Sequence, residues 1–575
     1  MSLFGSIQMG GSTLQAMQIG LQVVGNNIAN ANTPGYVREE AIFAPAPVQR
    51  LGGLVLGTGV TVDSIVQKLD KFVQERLVGA KGDRAGAEVQ EQTYKELETV
   101  LNELSDSSDL SSAFTGFFNS VHEVLKTGDA ATRNLAVGKG IALTQNINNL
   151  NSRVSQLQGQ LDKRITADAS EINDLAEQIR KLNVQITSTE GGDSSSSEAG
   201  GLRVKRQAAI DRLSELVGIK VTEQPSGGVS IAAGGDFLVF EGQRRGVELA
   251  NSSQNGAAGS VIQFADTHGK LQTTSGEVSG LYAARDDVVG GFLSKLDDLA
   301  GTLAFEFNKV YSQGQGLVGF QKLKSVESVR DSNAPLDAAG LPFSPVSGAF
   351  NIQVHSKGGD ITRTTTIQID LDGLDEDTSL NSLAQQIDAI DGISASATSA
   401  GSLQISSDSP DIEFAFASDK PGESAGDTSG TLAALGLNTF FTGSTAASIG
   451  VNDEVKGIDN AGKFAASQGG IGNDSANAER LAAFLDQPIA AKGDASLGDL
   501  YNQLINQTTQ GSSVSQSVAE GYRTFESTLE GQQQAVSGVS IDEEAVKMLT
   551  LQRIYQASAK YIQTVSDLLD MLVKV

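Results

Sequence analysis

No cysteine and no tryptophan occur in this sequence of 575 residues, and it has only three histidines, ten prolines and 5% aromatic residues. Without cysteine, neither a disulfide nor a thiolate metal site can form. Folding therefore needs no oxidising machinery, which is compatible with either side of a membrane. Few aromatics beside abundant Gly, Ser, Thr, Asn and Gln suit packed helices and shallow β-domains better than a deep small-molecule pocket. Basic residues are outnumbered, 42 against 69 acidic, for a formal charge of -27. Nucleic acid is held by neutralising its phosphates with Lys and Arg, so it is not expected as a partner.

Long apolar runs are missing too. The first 37 residues contain no Asp, Glu, Lys or Arg, yet Gln15, Gln18, Gln22, Asn26 and Asn27 interrupt every window of about 20 residues, the length a membrane span needs. Neither membrane insertion nor a cleaved signal peptide is expected, the latter because no basic residue precedes an apolar run. Catalytic signatures are equally scarce. His122, His268 and His355 match no metal-ligand spacing. The glycines at 57–59 and 138–140 lack phosphate-loop spacing and read as turns, and no nucleophile elbow is present. Asp370, Asp372, Asp375, Glu376 and Asp377 bring calcium to mind, but Gly373 falls at the wrong place for an EF-hand loop, so an acidic turn is the better reading. No catalytic, cofactor-binding or metal-binding residue is assigned, no cofactor is expected, and the chain reads as a non-enzyme.

What the chain does have is a matched pair of ends. Ile7, Leu14, Leu21 and Ile28 repeat every seven residues, with Met17 and Val24 beside them. Ile541, Met548, Tyr555, Ile562 and Leu569 keep the same spacing, with Leu551, Val565 and Leu572 alongside. Each repeat puts an apolar stripe on one side of a helix, the pattern of a coiled coil. Burying one such stripe does not repay the backbone entropy of ordering a lone helix. Both termini are therefore expected to be disordered in a free monomer and to fold when partner helices cover the seams, from neighbouring subunits more than from the same chain.

Between the ends the periodicity changes in a nested order. Val62, Ile65, Val66, Leu69, Phe72, Val73 and Leu77 predict one amphipathic helix; Leu97, Val100, Leu101 and Leu104 a second; Phe114, Phe117, Phe118, Val121, Val124 and Leu125 a third. A strut of about 40 residues follows, from Ile147 through Leu161 and Ile165 to Ile186. It stops at Gly191-Gly192-Asp193 and the Ser194 to Ser197 run, a flexible loop by composition. After a short helix at Ile210, Leu213 and Leu216, the runs 229–231 and 237–240 suggest a small β region. Helix returns from Val289 to Val310, and from about 345 to 420 the period becomes two, as in Phe350, Ile352 and Val354, with one helix at Leu380 to Ile390. Helical spacing resumes from Leu481.

The expected fold is multidomain α+β. N- and C-terminal helices pair in a coiled-coil-like terminal domain, 1–60 with 540–575; an elongated helical-bundle domain takes 61–220 with 276–325 and 455–539; 221–275 forms a small β region and 326–454 a mainly-β outer insertion. Asn30, Ala31, Asn32, Thr33, Pro34, Gly35 and Tyr36 stop the first helix, because Pro34 lacks an N–H and Gly35 permits a positive φ.

The stretch Asn26 to Tyr36 resembles the N-terminal signature of bacterial flagellar rod, hook and hook-associated proteins. Ser537 to Glu544 with Leu551 to Lys560 resembles the C-terminal end of the same proteins. The internal segments Gly280 to Gly319 and Thr431 to Gly443 resemble hook-associated members rather than rod or hook members. The resemblance implies an extracellular structural adapter at the hook–filament junction, exported unfolded through a narrow channel and assembled as a homo-oligomeric ring. Its implied partners are the hook protein, a second junction protein and an export chaperone that covers the C-terminal helix. The seam residues would be the assembly interface and the Asn30 to Tyr36 turn would redirect the chain. A hook or rod protein remains an alternative, as does a surface adhesin or carbohydrate-binding module.

Overall fold

The computed structural model describes residues 3–51, 54–103, 110–191, 199–254, 257–357, 361–374, 376–416, 426–457, 460–472 and 474–573. Leu104, Gly192, Asp193, the Ser194 to Ser197 run and Asp375 lie outside them. Contacts divide the chain into two compact units, one of Met1–Thr93, Gly159–Val288 and Ser512–Val575, the other of Tyr94–Gln158 and Val289–Gly511.

The helices are α1 (Leu3–Ala29), α2 (Lys71–Glu103), α3 (Leu110–Thr127), α4 (Ala130–Thr189), α5 (Gly200–Leu216), α6 (Glu277–Ala283), α7 (Gly290–Tyr311), α8 (Leu380–Asp388), α9 (Thr431–Leu435), α10 (Ala476–Ala482), α11 (Leu497–Ser537) and α12 (Ile541–Val573). The strut is longer than its apolar spacing suggested, because α4 runs for 60 residues and starts at Ala130. Its stripe of Ile147, Leu150, Val154, Leu161, Ile165, Ile172, Ile179 and Ile186 is buried throughout.

In the first unit, β1 (Glu39–Pro45) pairs antiparallel with β4 (Val60–Gln67), with β2 (Gln49–Leu51) and β3 (Leu54–Leu56) as a hairpin between them. This corrects the helix expected from Val62 to Leu77. Val60, Val62, Ile65 and Val66 are β-branched and stiff at χ1, which favours a strand, and the helix begins only at Lys71. Asp70 sets that start, its carboxylate accepting from Phe72 N at 3.0 Å and Val73 N at 3.2 Å. In the small β region, β5 (Ile219–Glu223), β6 (Val229–Ala233), β7 (Asp236–Phe240) and β8 (Gln243–Arg244) form one sheet, followed by the β9 (Val247–Gln254) and β10 (Ala257–Phe264) hairpin.

Asparagines on α4 hold this region by standing in for a neighbouring strand. Asn183 donates to Val229 O at 2.8 Å and accepts from Val229 N at 3.1 Å; Asn173 does the same for Val247 at 2.8 and 3.0 Å. A side-chain amide has one donor and one acceptor face, so it satisfies both backbone groups of the residue it meets.

In the second unit the scarce aromatics concentrate at one place. Phe117 lies 5.5 Å from Phe307, 5.4 Å from Phe440 and 5.6 Å from Phe441, and Tyr311 packs on Phe464 at 5.4 Å. Gly140 admits this cluster, since a Cβ there would stand 2.6 Å from the Phe440 ring. Asn308 repeats the clamp seen on α4, donating to Phe441 O at 2.8 Å and accepting from Phe441 N at 3.0 Å.

The outer β-rich region, which starts before the expected residue 326, carries two three-stranded sheets: β13 (Ile361–Ile369), β12 (Gly348–Ser356) and β16 (Ile412–Phe416) in one, and β11 (Lys322–Lys324), β15 (Leu403–Ser407) and β14 (Ile393–Ala397) in the other. Phe350, Ile352, Ile367, Leu383, Ile387, Ile405 and Phe414 share its core. The half-buried alternation expected of β12 does not hold, because Asn351, Gln353 and His355 on its polar side are buried as well. Thr366 donates to Asn351 and Gln315 to Gln353, at 2.8 and 2.7 Å, so that side is covered by polar partners rather than water.

One buried charge on α4 makes a testable point. Asp168 is 6% exposed and its Oδ2 has no hydrogen-bond partner. Burial, then the nearby Glu277 carboxylate, push its carboxyl up to about 7 from the usual 3.8, with Glu171 adding to the effect and Arg164 and Arg212 opposing it. The native state then holds a proton that the unfolded chain has released, so stability falls as pH rises between those two values. Asp168→Asn should flatten that slope and raise the urea midpoint at pH 8, the gain shrinking toward pH 4. Equal midpoints at pH 8 would contradict it.

Candidate functional site

The two ends of the chain meet: α1 lies along α12. The residues α1 buries are mostly small, namely Ser6, Gly10, Ala16, Met17, Gly20, Val23, Val24 and Asn27. A Cβ on Gly10 would stand 2.5 Å from Ile562, and one on Gly20 would stand 3.0 Å from Phe43 and 3.2 Å from Leu551. Missing side chains thus bring the backbones together and let Ile562 and Leu551 fill the space. Hydrophobic spacing alone misses this seam, because glycine and serine score as neutral; the signal that could have found it is Gly10-x9-Gly20 with Ser6 and Ala16 on one face.

The seam positions read from the sequence fall on and beside this contact. Met17, Val24 and Val565 are buried. Ile7, Leu14, Leu21, Ile28, Met548, Leu551, Ile562 and Leu569 are half-buried, flanking the small-residue line. Ile541 and Tyr555 stay exposed at 53% and 38%. The two terminal helices pair within one chain, as the expected fold has it, although neighbouring subunits were expected to supply more of the cover. α12 also leaves apolar side chains exposed beside the first stripe, Ile554 and Leu568 about 100° around the helix from it and Leu572 of the first repeat, whereas Tyr561 reaches α1, its ring 3.5 Å from where a Cβ on Gly10 would stand.

At the end of α1 the turn is closed by its own polar groups. Asn30 N and Nδ2 both donate to Asn26 O at 3.0 Å, Thr33 N donates to Asn30 O at 2.9 Å, and Tyr36 N to Thr33 O at 3.1 Å. Gly35 takes φ of +73°, a conformation costly for any residue with a Cβ. Asn32, Thr33, Pro34 and Gly35 face solvent, and Ala31 is half-buried. Together with the end of α11 and the start of α12, the turn borders a cleft of about 740 Å³.

Behind the turn lies a buried polar network that the sequence reading did not anticipate. Asn27, 1% exposed, donates to Glu39 O at 2.8 Å and accepts from Glu39 N at 3.0 Å, the same clamp found on α4. It also donates to Glu544 Oε2 at 3.0 Å and accepts from the Tyr36 hydroxyl at 2.9 Å. Arg38 donates to Glu544 Oε1 at 2.9 Å through Nε and to Glu543 at 3.1 Å through Nη1, while its backbone N–H reaches Ser537 O at 3.0 Å. Burial, then Glu39 and Glu544, push the Tyr36 phenol up to about 12, so it stays a donor at any physiological pH. Nothing here is arranged as nucleophile and base; the geometry fixes the direction in which the chain leaves α1 and ties it to α12.

Removing the Glu544 carboxylate leaves Asn27 Nδ2 without that acceptor and the buried Arg38 with only the exposed Glu543, and breaking a buried pair costs up to about 3–5 kcal/mol. Glu544→Ala should therefore accelerate amide exchange across α1 and α12 while leaving α7 unchanged. Unaltered exchange in α12 would show that apolar packing alone holds it.

Residues 94–323 match the family described as flagellar hook-associated protein FlgK helical domain, residues 7–36 the flagella basal body rod protein family, and residues 532–575 the flagellar basal body rod FlgEFG protein C-terminal family. Flagellar hook-associated protein 1 of Escherichia coli K12 is 25% identical over 98% of each chain, and that of Bacillus subtilis 168 is 26% identical over 100% of this chain and 98% of its own. The solved flagellar hook junction protein FlgK from Burkholderia pseudomallei has a similar fold, with TM-score 0.50 at 15% identity, covering 80% of this chain and 100% of that one. The chain belongs to the flagellar hook-associated protein 1 family.

Proposed function

We propose that this chain is a structural adapter of the bacterial flagellum, placed outside the cell at the junction of hook and filament. The observation that carries the reading is the pairing of α1 with α12 together with the exposed apolar side chains of Ile554, Leu568 and Leu572 on α12. A helix whose apolar side chains are only partly covered by its own chain is suited to a lattice in which each subunit supplies the missing cover for another. Among the described residues no helix is long and apolar enough to cross a membrane, so a bilayer is a poor candidate for that cover.

In this reading copies of the chain form a ring whose lower side continues the hook protein lattice and whose upper side receives the second junction protein and then flagellin. The seam residues and the Asn30 to Tyr36 turn are its assembly interface, and the termini complete their ordering on assembly. The work is mechanical and templating, with no reaction assigned. Family membership favours this over the hook or rod alternative, and nothing favours an adhesin. Deletion of the gene should leave cells with hooks but no filaments, with flagellin lost to the medium; normal filaments seen by electron microscopy would refute the junction role.

Before export, the same exposed side chains of α12 are the surface a flagellar chaperone would mask. Truncation of residues 541–572 should abolish protection of the chain by that chaperone in a pull-down. Full protection of the truncated chain would place the chaperone site elsewhere.

A further inference from the structure

Two exposed surfaces of the first unit carry uncovered apolar side chains and opposite charges. One is a stripe on α11, Val514, Val518, Tyr522 and Phe525, whose spacing of four, four and three residues sets them on one side of the helix. All four are exposed. The stripe is covered at its lower end, where Leu529 is 1% exposed and packs with Leu77 and Ala80 of α2. Phe72 of α2, 67% exposed, widens the open part. Arg76 joins the two helices, its guanidinium 5.7 Å from the Phe72 ring centre and 5.5 Å from that of Phe525. A guanidinium held against aromatic rings stays charged and still offers N–H groups to a carboxylate.

The other surface is the start of α12. Asp542, Val546 and Leu549 fall within about 60° of arc on the helix, and all three are exposed, Val546 at 64%. The neighbouring acids are engaged elsewhere, Glu544 with Asn27 and Arg38 and Glu543 with Arg38. Among the described residues neither Arg76 nor Asp542 has an ion-pair partner. Aromatic rings grouped with an arginine are the composition of an interface centre rather than of open surface. A contiguous apolar patch of this kind calls for a partner, and in a chain of net charge -27 an unpaired arginine at its middle calls for an acidic one.

We infer that the start of α12 in one copy docks on the α11 stripe of a second copy, Val546 and Leu549 covering Tyr522 and Phe525 while Asp542 meets Arg76. Each surface lacks what the other supplies. Because the two differ, the contact is head-to-tail: a copy that gives α12 to one neighbour receives α12 from the next, and such contacts close into a ring where the rotation allows it. The inference rests on the reading of the chain as an assembling adapter, and adds to the pairing of α1 with α12 a contact made by α11 and α2.

The chain has no cysteine, so introduced thiols report cleanly. Full-length chain carrying Tyr522→Cys with Val546→Cys, or Val518→Cys with Leu549→Cys should the first pair not assemble, replaces the wild type in cells. Hooks with attached filaments are isolated and oxidised, and the chain is followed by immunoblot without reductant. A ladder of dimers and larger multimers is expected, each single variant remaining monomeric. Arg76→Glu should weaken the ladder roughly ten-fold, and Asp542→Arg added to it should restore the ladder by reversing the pair. A ladder indifferent to Arg76→Glu would overturn the proposal. So would a loss that Asp542→Arg does not restore, because Arg76 would then serve only to hold Phe72 and Phe525 together. Chain present in the hooks without a ladder from either thiol pair would overturn it and leave the junction role standing, whereas wild-type chain absent from them would overturn both. A disulfide formed within single molecules of the dilute purified chain would place the contact inside one copy and overturn it as well.

Discussion

The Asn27 side chain is the point on which the ends of this molecule depend. Its one amide satisfies both backbone groups of Glu39, receives the Tyr36 hydroxyl and donates to Glu544. Two of those partners are the next segment of chain and the third comes from the far end of it. A buried carboxylate is tolerated only when its oxygens are occupied, and Glu544 is occupied by Asn27 on one oxygen and Arg38 on the other. The network therefore closes in one register only: sliding α12 along α1 would strand a charge. Apolar seams by themselves do not have that property, since a heptad stripe meets a similar surface when shifted by seven residues.

Small residues complete the constraint. With Gly10 and Gly20 in the seam, α1 comes close enough to α12 for Ile562 and Leu551 to occupy the space of the missing side chains. Close approach also narrows the surface each helix spends on the other. That is why the heptad positions Ile7, Leu14, Leu21 and Ile28 end up flanking the contact, half-covered, and why α12 has apolar side chains to spare. A wider seam of large side chains would have covered these as well and left a self-contained hairpin. The geometry instead gives a pairing fixed in register but incomplete in coverage, which is what an extensible assembly needs from its repeating part.

What was legible in the sequence follows from the kind of signal each element emits. The long stripe of α4, the phenylalanine face of α3 and the core positions of α8 are large apolar side chains at regular spacing, and the structure buries them. Residues 60–67 misled because Val62, Ile65, Val66 and Leu69 also fit a helical period, while the β-branched character of the run and the capping Asp70 decided for a strand. β12 misled differently, since its alternation is real but its polar side is buried against Thr366 and Gln315. Of the site, the turn and the flanking stripes could be read. The glycine seam was missed because periodicity counts greasy side chains and not small ones; the Asn27, Arg38 and Glu544 network could not be read, because a buried polar group is visible only when its partner, here more than 500 residues away, is in place.

The recurring helix asparagine gives the architecture its economy. Asn27, Asn173, Asn183 and Asn308 each hold the N–H and C=O of one residue in an arriving segment. Such a clamp is short, uncharged and independent of oxidation, so it suits a chain with no cysteine, few aromatics and a large excess of like charge. It also acts at single residues: each clamp pins an insertion to its helix at one point and leaves the insertion to build its own core, as the outer β-rich region does around Phe350 and Phe414. Insertions of this kind can vary in size without disturbing the helix that carries them. The register of α1 against α12 has no such freedom, because there the clamp is shared with a charge.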